Sequence, residues 1–328
     1  MRIDCFSFSK HLNPVKPGDD VLVMVPDRLY AVLDGATDVN GITLDGVGTG
    51  RYAAVTAAAA LTEMATRPAD SYSGEELIAA LNAKLGAGLK AWSDKLGRKV
   101  GAATTLAAME VVGDRYRFTL VGDSGIRING TDVVQCLKPV DDLMSAGRVM
   151  LHRLLKTRGV SGADLEAKSR QGVFHGFDAA VPAGLMSADD ADRLIGEAHA
   201  ALAKQGFGPE ILDLVDPMLR AGIAKGQYAF ANHPSHPLGY ASLDGTKSIG
   251  FGLTVFERPR AEVHTVEIFS DGYLELPPEG ATSLDAWEAV TARIEAEDPL
   301  KVISHWGVKG SNDKQLFDDR TVMILSGL

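Results

Sequence analysis

Tyr30-Ala31-Val32-Leu33-Asp34-Gly35-Ala36-Thr37-Asp38 is a short apolar run that stops at an Asp-Gly pair. Four apolar residues suit a buried strand, and Asp-Gly suits the turn that ends one. Taken alone, Asp34-Gly35 reads as an ordinary tight turn. The arrangement recurs, however. Phe118-Thr-Leu-Val-Gly-Asp123-Ser, Val266-Glu-Ile-Phe-Ser-Asp271-Gly and Leu316-Phe-Asp318-Asp319-Arg-Thr-Val-Met-Ile-Leu325 each set an aspartate at the end of a strand-like run. Carboxylates gathered at the ends of buried strands repel one another unless a cation neutralises them. A shared hard-metal site accounts for the pattern.

Outward from this stretch, Arg2 to Ser9 alternates like a half-buried strand. A loop follows, and Asp20-Val-Leu-Val-Met-Val25 then reads as a second strand. Asp19-Asp20 opens it, so Asp20 joins the candidate ligands; a solvated pair beside a Pro-Gly turn is the alternative reading. Residues 39–50 are glycine-rich but match neither G-x-x-x-x-G-K-[ST] nor G-x-G-x-x-G. They read as a flexible lead to an alanine-rich helix over Arg51 to Arg67. A second helix over Glu75 to Leu96 has one apolar face, and both are expected to cover a sheet. From Ala102 to Lys138 the pattern is a strand meander, with hairpin turns at Gly113-Asp114 and Asn129-Gly130.

From Pro139 to Gly226 the periodicity becomes helical, over Met144 to Leu155, Ser187 to Gln205 and Pro209 to Ala224. Ser187 with Asp190 forms a capping box. Asp189, Asp190 and Asp192 therefore read as first-turn acids favoured by the helix dipole, rather than as a metal loop or an aspartyl nucleophile. His233 and His236 sit in a Pro-rich loop, a rigid turn by composition, with proton donation or metal binding as the functional alternative. Asp244-Gly245 reads as another hairpin turn. Ile249 to Phe256, Val263 to Phe269 and Thr321 to Leu325 read as strands, and Leu284 to Ile294 as a helix.

The 328 residues are 45% hydrophobic and 23% charged, an ordinary globular composition that argues against long disorder. A net charge of −10 disfavours nucleic acid and anionic membrane as partners. Cys5 and Cys136 lack the arginine six residues later that a cysteine-dependent phosphatase loop requires, and two such cysteines do not make a disulfide framework. With neither a signal-peptide core nor a long apolar run, the expectation is a reduced, cytoplasmic protein.

The ordered motifs Y-A-V-L-D-G, G-A-A-T-T-L-A-A-M-E-V, L-V-G-D-S, F-S-D-G-Y-L-E and D-D-R-T-V-M-I-L resemble those of the metal-dependent Ser/Thr protein phosphatases, the PPM or type 2C family, in its bacterial branch. The similarity covers about residues 1–138 and 248–328. It implies an α+β fold, an α-β-β-α sandwich of two antiparallel sheets flanked by helices. Residues 1–328 would form a single phosphatase domain carrying residues 139–228 as a helical insertion that lids the site or binds a protein partner. The resemblance further implies two Mg²⁺ or Mn²⁺ ions, hard cations suited to oxygen ligands. Asp34 would bridge them, the Gly35 carbonyl would bind one, and Asp271 and Asp318 would hold the other, with Asp20 helping. Asp123 matches the aspartate that helps hold a third, weaker ion in bacterial relatives.

Departures are also visible. Ala36-Thr37-Asp38 stands where the family often has His or Met and then Gly-Gly, so no histidine acid follows Asp34. Gly125 replaces the arginine after G-D-S, with Arg127 two positions on. The arginine that animal members carry before the acidic pair is missing, and Lys16 is the candidate for phosphate contact. Asp319 stands where asparagine is common. Three activities fit: a phosphatase of phosphoserine and phosphothreonine in proteins, a phosphatase of small phosphomonoesters, and a degenerate binding module that uses the insertion.

Overall fold

A computed structural model describes residues 1–13, 15–36, 41–246 and 252–328. Among these residues the chain forms two compact units, Met1–Leu137 with Ala241–Ala292 and Asp318–Leu328, and Lys138–Tyr240 with Arg293–Phe317.

The first unit contains β1 (Arg2–Phe8), β2 (Val21–Val25), β3 (Leu29–Leu33), α1 (Thr49–Met64), α2 (Gly74–Leu96), β4 (Leu106–Val112), β5 (Arg115–Val121), β6 (Gly125–Ile128), β7 (Asp132–Val134), β8 (Leu253–Pro259), β9 (Thr265–Phe269) and β10 (Arg320–Ser326). One five-stranded sheet runs β1-β10-β9-β6-β7 and the other β8-β5-β4-β3-β2, with every pairing antiparallel. This is the expected sandwich, and the two-residue strand period shows how the sequence builds it. Tyr30, Val32, Ala107, Met109, Phe118 and Leu120 face Ile126, Ile128, Val266, Ile268, Met323 and Leu325 in the core between the sheets. Their neighbours Leu29, Ala31, Leu33, Leu106 and Ala108 point the other way, onto Ala53, Ala57, Leu61, Leu77, Leu81 and Leu85 of α1 and α2. On the outer face of the other sheet, Phe269, Val322 and Ile324 pack on Trp287 and Leu284 of the helix Leu284–Glu297.

Several local expectations change. Asp34-Gly35 is no turn: the chain runs on and Gly35–Ala36 pairs with Ala103–Thr104. Glycine is needed there because a Cβ on residue 35 would lie 2.3 Å from the Gly50 carbonyl oxygen, at the start of α1. The glycine-rich lead to α1 holds a small hairpin, Thr43–Leu44 against Val47–Gly48, turned at Asp45 and Gly46 with positive φ. Asp244-Gly245 is a bend rather than a hairpin turn, with the Gly245 N–H donated to Asn82 Oδ1. The beginning of the strand expected from Ile249, residues 39–40 of the glycine-rich stretch and the Thr37-Asp38 departure lie outside the described residues.

The second unit is helical. Its main helices are α3 (Pro139–Thr157), α4 (Gly162–His175), α5 (Ala188–Lys204) and α6 (Val215–Ala221), around Val140, Leu143, Leu151, Phe177, Leu194 and Leu219. The Ser187/Asp190 capping box forms, and Asp192 pairs with Arg220, so these acids serve helix ends and surface pairs. The helix expected over Pro209 to Ala224 is broken into Pro209–Leu212 and α6. α4 was not legible: Gly162, Ser169 and Gly172 dilute its apolar spacing.

Candidate functional site

Antiparallel register carries the candidate aspartates to one end of the first unit. Leu33, ending β3, faces Val21, opening β2; Val121, ending β5, faces Leu106, opening β4. Phe269, ending β9, faces Gly125 of β6 and Val322 of β10. The residues just past these strand ends are Asp20, Asp34, Asp123, Asp271 and Asp318.

The neighbours of each carboxylate are specific. Asp34 is held through its backbone, its N–H donating to Thr105 Oγ1 (3.3 Å) and its carbonyl accepting from Thr104 Oγ1 and Thr105 N (both 2.8 Å). Thr105 Oγ1 in turn contacts Ser124 Oγ at 2.6 Å. Two threonines from the G-A-A-T-T motif and the serine of G-D-S thus fix the position of Asp34. The Asp20 Oδ2 accepts from Ser270 Oγ at 2.7 Å, whereas its buried Oδ1 has no hydrogen-bond partner. Ser270 Oγ also accepts from Thr321 N, which ties Asp20 to β10.

The carboxylates crowd one another electrostatically. Asp34 and Asp271 each keep a partly exposed edge, yet surrounding protein raises both pKa values well above the ordinary range. Repulsion from other aspartates adds to this, Asp20 foremost for Asp34 and Asp34 foremost for Asp271, and the two carboxyl groups hydrogen-bond each other. Burial pushes Asp20 up to about 7, against the opposing bonds from Ser270 and Thr321. Like charges this close are held together only by a shared proton or by cations. Among the described residues, no three His, Cys, Asp or Glu side chains already converge as a finished metal cage. The donor set nevertheless fits a hard cation: it is all oxygen, and the orphaned Asp20 Oδ1 is an acceptor that such an ion would satisfy.

Sequence reasoning missed Lys10 and gave Asp319 no role. Lys10 is 6% exposed, and its Nζ lies 3.0 Å from Asp19 Oδ2, 3.0 Å from Asp319 Oδ2 and 3.4 Å from Asp318 Oδ1. Asp319 accepts from the backbone N–H groups of Lys10 (2.7 Å) and Asp19 (3.0 Å), so it binds the loop after β1 to the start of β10. A Cβ at Gly18 would lie 2.3 Å from Asp319 Oδ1, which is why that loop needs glycine there. Lys16 is exposed, and the only hydrogen bonds described for it use its backbone. Arg127 is buried in an ion pair with Glu267 and donates to the carbonyls of Pro277 and Ala281, so it is part of the core. His236 Nδ1 accepts from Leu238 N and its ring stacks on Phe230, as a rigid turn requires. Beside Asp20 and Asp319 lies a pocket of roughly 400 Å³, lined also by Phe8, Ser9, Gly18 and Arg51. Arg51 reaches the Gly18 and Asp20 carbonyls from α1.

No protein-family model matches the chain, and no curated protein matches it. Among solved structures, the Mycobacterium tuberculosis serine/threonine phosphatase PstP is similar at 18% identity and a TM-score of 0.47, over 98% of this chain and 97% of that one. The PstP catalytic domain in complex with two manganese ions is similar at 16% identity and a TM-score of 0.46, covering 98% and 96%. The serine/threonine phosphatase Stp1 of Staphylococcus aureus is similar at 11% identity and a TM-score of 0.47, covering 99% and 95%. Similarity of this degree establishes no shared activity.

Proposed function

We infer that this chain is a metal-dependent phosphomonoesterase of the PPM type, acting on phosphoserine and phosphothreonine in proteins. The observation that carries this reading is the aspartate group at the common end of the two sheets, with Asp34 and Asp271 crowded together and Asp20 Oδ1 unpaired. In this reading Asp34, the Gly35 carbonyl, Asp271, Asp318 and Asp20 hold two Mg²⁺ or Mn²⁺ ions, and Asp123 contributes to a third. Such ions, when bound, lower the pKa of a water and neutralise phosphoryl oxygens. The chain's own part is positioning. Thr104, Thr105 and Ser124 fix Asp34, Ser270 fixes Asp20, and Asp319 fixes the loop carrying Asp19 and Asp20.

Partner and compartment follow from weaker features. No helix among the described residues is long and apolar enough to cross a membrane. Cys5 and Cys136 are free and exposed, which supports a reducing, cytoplasmic setting. The helical segment 139–228 is the proposed surface for a protein partner, supported by its separate core. The roughly 400 Å³ pocket beside Asp20 favours a second reading, a small phosphomonoester substrate.

The test is hydrolysis of p-nitrophenyl phosphate, a phosphothreonine peptide and a panel of phosphorylated metabolites, each with Mn²⁺ and with excess chelator. Turnover of the peptide that requires Mn²⁺ is the expected result. Hydrolysis that persists under full chelation would remove the metal-dependent reading, and turnover confined to metabolites would favour the second.

A further inference from the structure

The resemblance gives Asp318 to a divalent ion, yet the structure puts an ammonium group there. Lys10 lies two residues past the end of β1, and its side chain turns inward. Its Nζ lies against three carboxylates, from Asp19, Asp318 and Asp319, at 3.0, 3.4 and 3.0 Å. With its side chain 7% exposed, this is no surface pair, whose geometry is loose and whose worth is small. A buried ammonium persists only where carboxylates compensate its lost hydration.

We propose that the Lys10 ammonium is a built-in cation of the site, shared by Asp19, Asp318 and Asp319 and offsetting part of their charge, so that it stands where these carboxylates would otherwise take one further divalent ion. The inference rests on the metal-site reading and revises it at one residue: Asp318, placed there among the ligands of two divalent ions, is held by Lys10 instead, which leaves one exchangeable ion. Among the described residues no ammonium pairs with Asp34, Asp271 or Asp20, and the orphaned oxygen belongs to Asp20. The exchangeable cation therefore belongs with Asp20, Asp34 and Asp271, while Asp318 is held by a charge that chelators cannot remove.

Two measurements on the full chain decide it: Mn²⁺ stoichiometry by titration calorimetry, and melting temperature with and without Mn²⁺. Lys10→Met keeps the length of the side chain and deletes its charge. The variant is expected to melt lower than the wild type without metal, to bind one more Mn²⁺ than the wild type, and to gain on the order of 5 °C more from saturating Mn²⁺. Equal stoichiometry in the two proteins would overturn the proposal, as would a Lys10→Met protein that folds neither with nor without Mn²⁺. Asp318→Asn, at a partly exposed residue, supplies an independent reading. In the wild-type background it should leave the Mn²⁺ count unchanged, and loss of an ion would return Asp318 to the metal and refute the role of Lys10. A wild type that binds Mn²⁺ but hydrolyses nothing would instead count against the phosphatase reading and leave the Lys10 comparison intact.

Discussion

Two sites, one in each unit, bury charge in opposite ways. At the sheet ends of the first, Asp20 keeps an oxygen without a donor, while burial and neighbouring aspartates, Asp20 foremost for Asp34 and Asp34 foremost for Asp271, hold the pKa values of Asp34 and Asp271 high. In the second, Asp298 accepts the backbone N–H groups of Val302, Ile303, Ser304 and His305 at 2.9 to 3.1 Å. Burial pushes the Asp298 pKa up, but these four donors outweigh it and hold it below the ordinary value. Nearby, Arg148 donates to the carbonyls of Leu300, Lys301 and Gly307 and pairs with Glu166, which also accepts from Gly310 N. A buried carboxylate whose oxygens all have donors is a structural device. One that lacks donors and is crowded by its own kind is poised for something the chain does not supply.

The sharpest way to break this contrast is to neutralise one carboxylate in each unit. Asp34→Asn should lower Mn²⁺-dependent hydrolysis on the order of 10³-fold, the scale of losing one preorganised electrostatic group. It should leave the metal-free melting temperature unchanged or higher, because the change also relieves repulsion. Calorimetry with Mn²⁺ and a thermal melt check both halves. Glu166→Ala should do the reverse. It strands the Arg148 guanidinium without its carboxylate and costs about 3–5 kcal/mol, while Mn²⁺ affinity of the folded protein stays unchanged. Urea titration gives the stability difference. If both variants lost stability alike, the aspartate group would be part of the scaffold and not a site.

How much of this was legible depends on the distance between partners. The apolar runs of Leu29 to Leu33, Leu106 to Val112 and Arg320 to Ser326 made individual strands legible, whereas the sandwich they build was an implication of the family resemblance. The strand-end aspartates were legible for the same reason. Lys10 was not, because its partner Asp319 is 309 residues away and only the β1–β10 pairing brings them together. One local sign existed: Lys10 follows an alternating strand, at the same end as the aspartates. The segment 298–317 carried no helical or strand period. Its order comes from side chains of Asp298, Arg148 and Glu166, which pattern reading cannot see.

The smallest expected effect tests one of two exceptions inside the second unit, where, among the described residues, Arg148 Nε and His152 Nε2 are both buried without a hydrogen-bond partner. His152, one turn after Arg148 on α3, is 4% exposed, and its Nε2 has no hydrogen-bond partner. Burial lowers its pKa from the ordinary 6.5, and Arg148, Lys156 and Arg153 push the same way, while Glu166 opposes them. The folded chain therefore takes up this proton less readily than the unfolded chain. Stability from the neutral ring is fully present above about pH 6.5 and is lost as pH falls below that value, at no more than about 1.4 kcal/mol per pH unit for a single proton. His152→Leu removes both the proton site and the orphaned nitrogen. Urea unfolding at pH 7.5, 6.5 and 5.5 should show a shallower decline in the variant than in the wild type, with little difference between them at pH 7.5. The subtraction cancels the other histidines, which both proteins share. An identical decline in the two would mean that His152 protonates as easily folded as unfolded, and the second unit would then be more open around Arg148 than its hydrogen bonds imply.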